Sequence, residues 1–339
     1  MIDVANHAGV SIKTVSRVVN NETTVREEYK VKVLESIKQL GYIPSTSART
    51  LRSNRSYQIN FISNSSRSAF SNCVLFGALR ASHDLGYQLV VDLIETHQED
   101  VEQFADNWVE KLALRNKPEG IIIFPTLSLN KKFVGELIDA NIPVVSVGST
   151  SVHEQQGSVT INDRKAAKQM TKYLIGKGHR RIGFVLGPEN QSSAKERFKG
   201  YKKALNKNGI SFDESLLYQG DYNFESGLVA GKALLSRPDR PTAIFACNDE
   251  MAAGVIFSAQ KLGIAIPTEL SVVGFDDNLY ASGIWPSLTT IRQPLEDFGK
   301  TAMEIISSFK GGVRTVDDEI DICLNYEFIE RSSVAKIDL

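Results

Sequence analysis

Two different rhythms of apolar and polar residues follow one another along the chain. In the first 55 residues, the apolar positions recur at helical spacing and predict three helices: Ile2–Ala8, Ile12–Val19 and Val25–Leu40. Gly9 separates the first two helices, and Ser11 has a side chain suited to cap the second. Four apolar residues lie at helical spacing in the third helix: Val31, Leu34, Ile37 and Leu40. We therefore predict an all-α amino-terminal domain.

From Tyr57 onward, short apolar runs of strand type alternate with helical patterns such as 72–85, 100–115 and 250–262. The first series of predicted strands is Ile59–Ile62, Leu89–Leu93, Gly120–Phe124 and Pro143–Val147. A second series follows: Val159–Ile161, Arg181–Leu186, Leu216–Gln219, Ala243–Cys247 and Leu270–Phe275. Strands apolar enough to be buried on both faces, with helices between them, are typical of parallel sheets. We predict two doubly wound α/β subdomains with a ligand cleft between the carboxyl ends of their sheets.

These patterns divide the chain into three parts: residues 1–43, a linker at 44–56 and a core at 57–339. The segment Thr289–Pro294 predicts a crossover from the second series back to the first, with a helix at 297–309 after it. We expect an N-terminal subdomain made of residues 57–158 and 293–320. The C-terminal subdomain is expected from residues 159–290 and 321–330.

The distribution of charge separates the amino-terminal part from the rest. The whole chain is nearly neutral, with 39 Lys or Arg and 40 Asp or Glu. Residues 1–60 carry nine basic and five acidic side chains, a net charge of +4, so the remainder carries −5. A basic amino-terminal part on an acidic body indicates that only this part meets a polyanion.

Cysteine usage and hydropathy both favour a cytoplasmic protein. The cysteines at 73, 247 and 323 show no spacing typical of a metal site, a redox motif or a disulfide framework. No apolar run approaches the ~20 residues of a membrane span, and the amino terminus lacks a signal-peptide core.

The first two helices and their glycine turn have the pattern of a helix-turn-helix unit. Four side chains are expected to pack these helices together: Ala5, Val10, Val15 and Val18. That packing leaves four others on the outside: Ile12, Lys13, Ser16 and Arg17. A helix with such an end can enter the major groove of DNA, where Arg and Lys bond guanine. By spacing alone, an ordinary solvated helix face is an equally good interpretation.

The complete string resembles the headpiece signature of the LacI/GalR (lactose-repressor) family: Asp3-Val4-Ala5, Ala8-Gly9-Val10-Ser11 and Thr14-Val15-Ser16-Arg17-Val18-Val19-Asn20. Leu40-Gly41-Tyr42-x-Pro44 and Ala48-Arg49-x-Leu51 are similar to the end of its third helix and to its hinge helix. The core matches too, in Gly178-His179-Arg180-Arg181-Ile182-Gly183-Phe184, Asn248-Asp249-x-Met251-Ala252, Ser271-Val272-Val273-Gly274-Phe275-Asp276-Asp277 and Leu288-Thr289-Thr290-Ile291. The resemblance covers nearly the full chain in the order of the family.

The resemblance implies a homodimeric bacterial repressor, associated with the nucleoid, whose core is similar to periplasmic sugar-binding proteins. Residues implied to contact base edges are Ile12, Lys13 and Arg17. Those implied to lie on or near phosphates are Ser11, Thr14, Ser16 and Asn20. In the hinge helix, which includes Ala48, Leu51 is implied to enter the minor groove and kink the operator, although an ordinary hinge-to-core contact is the alternative. Dimer contacts are implied for helices 72–85 and 250–262.

Two features depart from the pattern of the family. Ser45 stands in the hinge where Asn is common. The Thr that usually precedes the first helix as its N-cap has no counterpart, which suggests that the native chain starts before Met1 or that the sequence is trimmed. Loss of such a cap costs roughly 0.5–2 kcal/mol. Residues Glu330–Leu339 contain no heptad run, so a four-chain assembly is not expected.

Seven residues are implied to line the effector cleft: Phe70, Ser71, Arg197, Tyr222, Asn248, Asp276 and Gln293. By analogy Arg197 bonds hydroxyls or a carboxylate of the ligand, Asp276 accepts hydrogen bonds from sugar hydroxyls, and an aromatic ring such as Tyr222 stacks on an apolar sugar face. A surface arginine, a loop-capping aspartate and ordinary aromatic packing are the structural alternatives. Asp249 is expected to be a helix N-cap and Asp277 to order its loop. Because Ser71 is small where purine-binding members carry a stacking aromatic, we expect a sugar or small glycoside.

Two other classes of protein fit the sequence less well than a repressor does. An enzyme is not supported, because the sequence shows no set of nucleophile, base and orienting group, no phosphate-binding loop and no metal-ligand spacing among its histidines. No cofactor or metal is therefore expected. A stand-alone sugar-binding receptor would share the core, but residues 1–55 argue against it.

Overall fold

The computed structural model describes residues 1–19, 24–42, 55–63, 68–93, 108, 117–125, 127–154, 156–309 and 320–337. They form two compact units, Met1–Tyr57 and Gln58–Leu339. Four residues singled out from the sequence lie outside the described ranges: Asn20, Ser45, Ala48 and Leu51. The helix expected at 100–115 also lies outside them, except for Trp108.

The amino-terminal unit contains the three predicted helices, α1 (Ile2–Ala8), α2 (Ile12–Val19) and α3 (Glu27–Leu40). Gly9 ends α1 in the left-handed region, at a φ of 63°, where a residue without a Cβ is favoured. The Ser11 hydroxyl accepts a hydrogen bond from the Thr14 amide at 3.1 Å, which confirms the predicted cap of α2. The small core consists of Val4, Ala5, Val15, Val18 and Val33.

The packing face of α3 differs from the predicted stripe. Val31, Leu34 and Leu40 are 47%, 49% and 44% exposed. Val33 and Ser36 are buried instead. The Ser36 hydroxyl donates to the Lys32 carbonyl oxygen and accepts from Nδ1 of His7 on α1 at 3.0 Å. Because the hydrogen bond between Ser36 and His7 lies between α1 and α3, the face of α3 that carries Val33 and Ser36 packs inward instead of the most apolar face.

The core unit contains two parallel sheets. The first has six strands in the order β2-β1-β3-β4-β5-β11, with these bounds: β1 (Gln58–Ser63), β2 (Gln88–Leu93), β3 (Gly120–Ile123), β4 (Val144–Val147), β5 (Gly157–Ile161) and β11 (Asp321–Leu324). The second has four strands in the order β7-β6-β8-β9: β6 (Ile182–Leu186), β7 (Leu217–Gln219), β8 (Ala243–Ala246) and β9 (Ser271–Val273). A ladder of β10 (Thr290–Arg292) and β12 (Glu327–Ile329) is antiparallel. All pairs within the two large sheets are parallel, as predicted.

Eight helices of the described residues connect these strands: α4 (Ala69–Leu85), α5 (Lys131–Asp139), α6 (Asp163–Gly176), α7 (Ser192–Lys207), α8 (Phe224–Leu235), α9 (Asp249–Lys261), α10 (Leu279–Gly283) and α11 (Leu295–Ser308). In the second sheet α6 packs on α7, and α8 packs on α9. Right-handed connections place these two helix pairs on opposite faces of the sheet. None of the helices described is both long and apolar enough to cross a bilayer.

Two predicted subdomain boundaries are wrong in detail. The strand beginning at Val159 was assigned to the second subdomain, but β5 pairs with β4 in the first sheet. The segment 321–330 was assigned there as a whole, yet β11 pairs with β5 and only β12 leaves that sheet. Both series have the same strand–helix rhythm, so the pattern alone does not assign a strand to a sheet. We call the six-stranded sheet with its helices the first lobe, and the four-stranded sheet with its helices the second lobe.

The returning helix α11 is locked onto α4 by two glycines. A Cβ at Gly299 would overlap the Val74 carbonyl oxygen, and one at Gly77 would overlap that of Glu296. The two helices therefore approach one another at backbone contact. This contact anchors the crossover that follows β10, and with it the position of Gln293.

We expect Gly299→Ala to lower the free energy of unfolding by about 1–3 kcal/mol, because the backbone of α4 must move away. Gly135→Ala on α5 is the matched control, since a Cβ there meets open space. The control should be neutral or gain up to about 1 kcal/mol from helix propensity. Urea unfolding of both variants checks this, and equal stabilities for the two would show that the helices are not in such close contact.

Candidate functional site

The amino end of α2 has the predicted arrangement of side chains. Ile12 is 41% exposed, Lys13 is exposed, and Ser16 and Arg17 are partly exposed. The hydroxyl groups of Ser11 and Thr14 lie 2.9 Å apart beside them. A polar, partly basic helix end is therefore available on this unit, and Val15 and Val18 hold its other face in the core.

A second candidate site lies at the carboxyl edge of the four-stranded sheet. Strands β6 and β8 are neighbours, although β7 comes between them in the sequence. The connections after β6 and β8 thus leave in opposite directions, and such a switch point is where ligands bind in open α/β sheets. Residues that follow these strands include Gly187 and Cys247.

Arg197 of α7 reaches this switch point and is almost fully buried, with 5% of its surface exposed. Its Nε donates to Asp163 Oδ1 at 2.7 Å, and its Nη1 donates to the Cys247 carbonyl oxygen and approaches Asp276. The guanidinium carbon lies 3.7 Å from the centre of the Phe275 ring. Burial alone would lower the pKa of Arg197, but the carboxylate of Asp163 raises it, so the group stays charged. The alternative of a surface helix arginine is excluded.

Asp276 follows β9 and points into the same cluster. Its Oδ1 lies 3.7 Å from a terminal nitrogen of Arg197 and accepts a hydrogen bond from Gln293 Nε2 at 2.6 Å. The backbone has a φ of 116°, a strained value of the kind that concentrates at binding sites. Burial raises the pKa of Asp276 to about 7, against the lowering effect of Arg197. Three predicted site residues are thus brought together.

Tyr222 and Asn248 complete the second-lobe part of the site. The Tyr222 ring centre is 6.0 Å from the Arg197 guanidinium, and its backbone has a φ of 57°. Asn248 Nδ2 donates to the Tyr222 carbonyl oxygen at 2.8 Å, while its Oδ1 accepts from the Met251 amide. Asn248 is therefore the N-cap of α9, and its amide positions the tyrosine loop.

The expectation that Asp249 is the N-cap of α9 is wrong. Asp249 is the first residue inside the helix and is completely buried. Its carboxylate accepts hydrogen bonds from Thr290 Oγ1 at 2.7 Å and from the Asn278 amide at 3.0 Å. Asp277 behaves as expected, because it forms ion pairs with Arg292 and Arg331 that order the loop.

Phe70 and Ser71 lie in the first turn of α4, in the first lobe. The Phe70 ring packs against Phe124 and Phe298, each 6.1 Å away between ring centres. Ser71 is buried, and its amide donates to the N-cap residue Ser68. The observed contacts of the Phe70 ring thus lie within the first lobe, in agreement with the packing alternative.

Two residues of the cluster were missed by the sequence analysis. Asp163, the partner of Arg197, comes two residues after the predicted strand at 159–161 and directly after Asn162, the N-cap of α6. Its position just beyond the carboxyl end of a strand is the sequence signal that could have identified it. Glu250 occupies the unspecified position of the Asn248-Asp249-x-Met251 motif. Its Oε1 accepts a hydrogen bond from the Ala69 amide at 3.3 Å and so joins α9 to α4 of the other lobe.

The chemistry of this cluster is that of hydrogen bonding to a polar ligand. It offers carboxylate acceptors, a fixed guanidinium and the ring of Tyr222, which together suit hydroxyl groups on a ring-shaped molecule. Within the described ranges, no group of three or more His, Cys, Asp or Glu side chains is arranged to hold a metal ion.

Asp276→Asn should make the protein relatively more stable as the pH rises. Because the folded-state pKa of about 7 lies above the ordinary 3.8, ionisation of this group weakens the fold progressively between these values. Melting temperatures of variant and wild type, measured from pH 4 to pH 8, should therefore differ increasingly in favour of the variant. Asp139→Asn on the exposed end of α5 is the control. A difference in melting temperature from wild type that is independent of pH for both variants would contradict the raised pKa of the buried Asp276 carboxyl.

Comparison with known proteins agrees with both parts of this structure. Residues 1–45 match the family described as bacterial regulatory proteins, lacI family, and residues 171–334 match a periplasmic binding protein-like domain. The chain is 35% identical to catabolite control protein A of Priestia megaterium, with 94% of each chain covered. It is 31% identical to the ribose operon repressor of Escherichia coli K12, over 90% of this chain and 91% of the relative.

A solved structure supports the same assignment over the full length. The lac repressor dimer bound to operator and the anti-inducer ONPF superposes with a TM-score of 0.78 at 26% identity, covering 98% of each chain. The part of the chain that this comparison covers includes the amino-terminal helical unit and the two lobes with parallel sheets. The chain belongs to the lacI family of bacterial regulatory proteins, whose members are DNA-binding transcriptional regulators and not enzymes.

Proposed function

We propose that this protein is a sequence-specific repressor of carbohydrate-utilisation genes, controlled by a sugar or small glycoside bound between the two lobes. The observation that carries the proposal is the buried pairing of Arg197 with Asp276 at the switch point, in a chain that also has a helix-turn-helix unit. The ribose operon repressor and the lac repressor structure with ONPF support a sugar-like effector. The protein would act on the nucleoid.

DNA recognition would use the exposed end of α2. Ile12, Lys13 and Arg17 would contact base edges, and Ser11, Thr14 and Ser16 would contact phosphates. Asn20, Ala48 and Leu51 are proposed to add a phosphate contact and the minor-groove insertion. One such helix covers only half of an operator, so two copies on a pseudo-palindrome are needed for useful affinity.

A homodimer is supported by apolar side chains that the single chain leaves in water. On α4, Phe76 is 59% exposed and Leu79 is 41% exposed. Phe257 on α9 is 40% exposed, and Leu262, the residue that follows α9, is 44% exposed. Exposed apolar residues grouped on helices mark protein interfaces. The lac repressor relative was solved as a dimer, and we propose the same assembly through these helices.

Effector control would act through the contacts that join the lobes. A sugar hydroxyl bonded to Asp276 also meets Gln293, which lies on the crossover between the lobes. Tyr222 would stack on the ring and Asn248 would hold the tyrosine loop, while Phe70 and Ser71, which pack within the first lobe, would border the ligand from the first turn of α4. Effector binding would thereby favour one arrangement of the lobes and shift the affinity for DNA.

Arg17→Ala should relax the base preference at one position in each half-operator, at a cost of about 1–3 kcal/mol of discrimination, because a guanidinium bonds two acceptors of guanine. Selection of binding sites from a randomised DNA pool measures this. Lys38→Ala, at the exposed end of α3, is the control and should leave the preference intact. A wild-type sequence preference in the Arg17 variant would reject its role, and failure of the wild type to select any sequence would reject the repressor.

Phe76→Glu and Phe257→Glu should each shift the protein from dimer to monomer at micromolar concentration, because a carboxylate cannot be buried in an apolar interface without a large desolvation cost. Phe212→Glu is the control. This residue is 39% exposed beside Phe198 of α7, on the opposite face of the second sheet from α9. Sedimentation velocity measures the mass, and dimers in all three variants would exclude this interface.

A further inference from the structure

The buried arginine of the cleft is already paired with carboxylates. Arg197 is the only buried lysine or arginine among the described residues. Its charge is already shared by two carboxylates, Asp163 at 2.7 Å and Asp276 at 3.7 Å. It also lies against the Phe275 ring and the Cys247 carbonyl oxygen. Little of the positive charge remains to attract an anionic ligand.

Two more carboxyl groups lie close to this pair. Asp249 is completely buried and accepts hydrogen bonds from Thr290 and the Asn278 amide; burial, and then the charge of the neighbouring Asp276, raise the pKa of its carboxyl. Glu250 is partly buried, and burial raises its pKa as well. Asp163 and Asp276 therefore flank the guanidinium, and Asp249 and Glu250 add two more carboxyl groups whose charges act on Asp276 or respond to it.

Glu250 also occupies the place where the first lobe would hold an anion. The amino end of the 17-residue helix α4 carries a positive helix dipole and first-turn amides that have no carbonyl partner one turn earlier in the helix, the usual setting for a bound phosphate or carboxylate. Here the Ala69 amide already donates to Glu250 Oε1, at 3.3 Å. The carboxylate comes from α9 in the second lobe and so crosses the cleft to this helix end.

We propose that the cleft selects an uncharged, hydroxyl-rich effector and rejects phosphorylated or carboxylated ones, and that Glu250 enforces this selection by occupying the amino end of α4. This inference rests on the proposed effector site. Hydroxyl groups can donate to the surplus carboxylates, which in the ionised form accept hydrogen bonds and cannot donate them to a phosphate. A phosphate would instead be taken out of water next to like charges, and specificity commonly arises from such an unfavourable contact with the wrong ligand.

The first test uses matched probes on the full-length chain: ribose and ribose 5-phosphate, glucose and glucose 6-phosphate, fructose and fructose 1-phosphate, cellobiose, and glucuronate. Isothermal titration and thermal unfolding measure binding. We expect an uncharged member to bind, and its phosphorylated or carboxylated counterpart to bind at least about tenfold more weakly. Tighter binding of an anionic member than of its uncharged counterpart would overturn the proposal, as would a panel without any uncharged ligand.

The second test addresses Glu250 itself. Glu250→Gln keeps the side-chain length and an acceptor oxygen but removes the charge. It should therefore raise the affinity for phosphorylated probes, relative to the affinity for uncharged ones, about tenfold. Glu250→Asp keeps the charge and should retain most of the wild-type selectivity. Glu225→Gln, an exposed acid on α8 whose charge is felt at Glu250, is the matched control and should leave the ratio unchanged. An unchanged ratio in Glu250→Gln, with wild-type melting behaviour, would remove Glu250 from this role.

Addition of operator DNA separates this proposal from the proposed function. The charge selectivity is the ratio of the affinities for an uncharged sugar and for its anionic counterpart, measured in the absence of DNA. An uncharged sugar that binds without altering operator affinity would contradict the effector-controlled repressor but leave the charge selection standing. An anionic sugar that binds more tightly than its uncharged counterpart and alters operator affinity would contradict the charge selection but leave the effector-controlled repressor standing.

Discussion

A buried guanidinium group is the constraint around which the second lobe is arranged. Taking the charge of Arg197 out of water is costly unless it is paired and hydrogen-bonded, and removal of one partner would leave a buried charge uncompensated. Its partners come from separate parts of the fold, the first turn of α6, the end of β8 and the loop after β9. The pairing therefore fixes the carboxyl edge of the sheet, where the strand order provides the cleft.

The same edge is tied to the crossover between the lobes. Strand β10 runs beside the loop after β9, so the Asp276 amide donates to the Ile291 carbonyl oxygen at 2.8 Å. The next residues carry Gln293 to the Asp276 carboxylate, and α11 then packs on α4 through Gly299. A change at the carboxylate is thus connected to the first lobe by a short run of backbone. Glu250 provides a second connection, across the cleft to α4.

Much of the fold followed from local patterns. Helix α2 with its Ser11 cap, the glycine turn before it and the parallel strands of both series were predicted from spacing and turn chemistry. The errors have a common cause, competition between elements that are distant in sequence. Helix α3 buries Ser36 because His7 of α1 provides a partner, and β5 joins the first sheet although its rhythm fits either lobe.

For the candidate site, the sequence by itself determined which residue types follow the strands, and the family resemblance singled out Arg197, Asp276 and Gln293. Only the tertiary structure decided how their charges are used. Asp163 meets Arg197 from 34 residues away, and Glu250 meets Ala69 from 181 residues away. Local spacing encodes hydrogen bonds within a turn or a helix, whereas the balance of buried charge depends on which distant elements meet. The excess of carboxylates in the cleft therefore arises from contacts between elements that are distant in sequence.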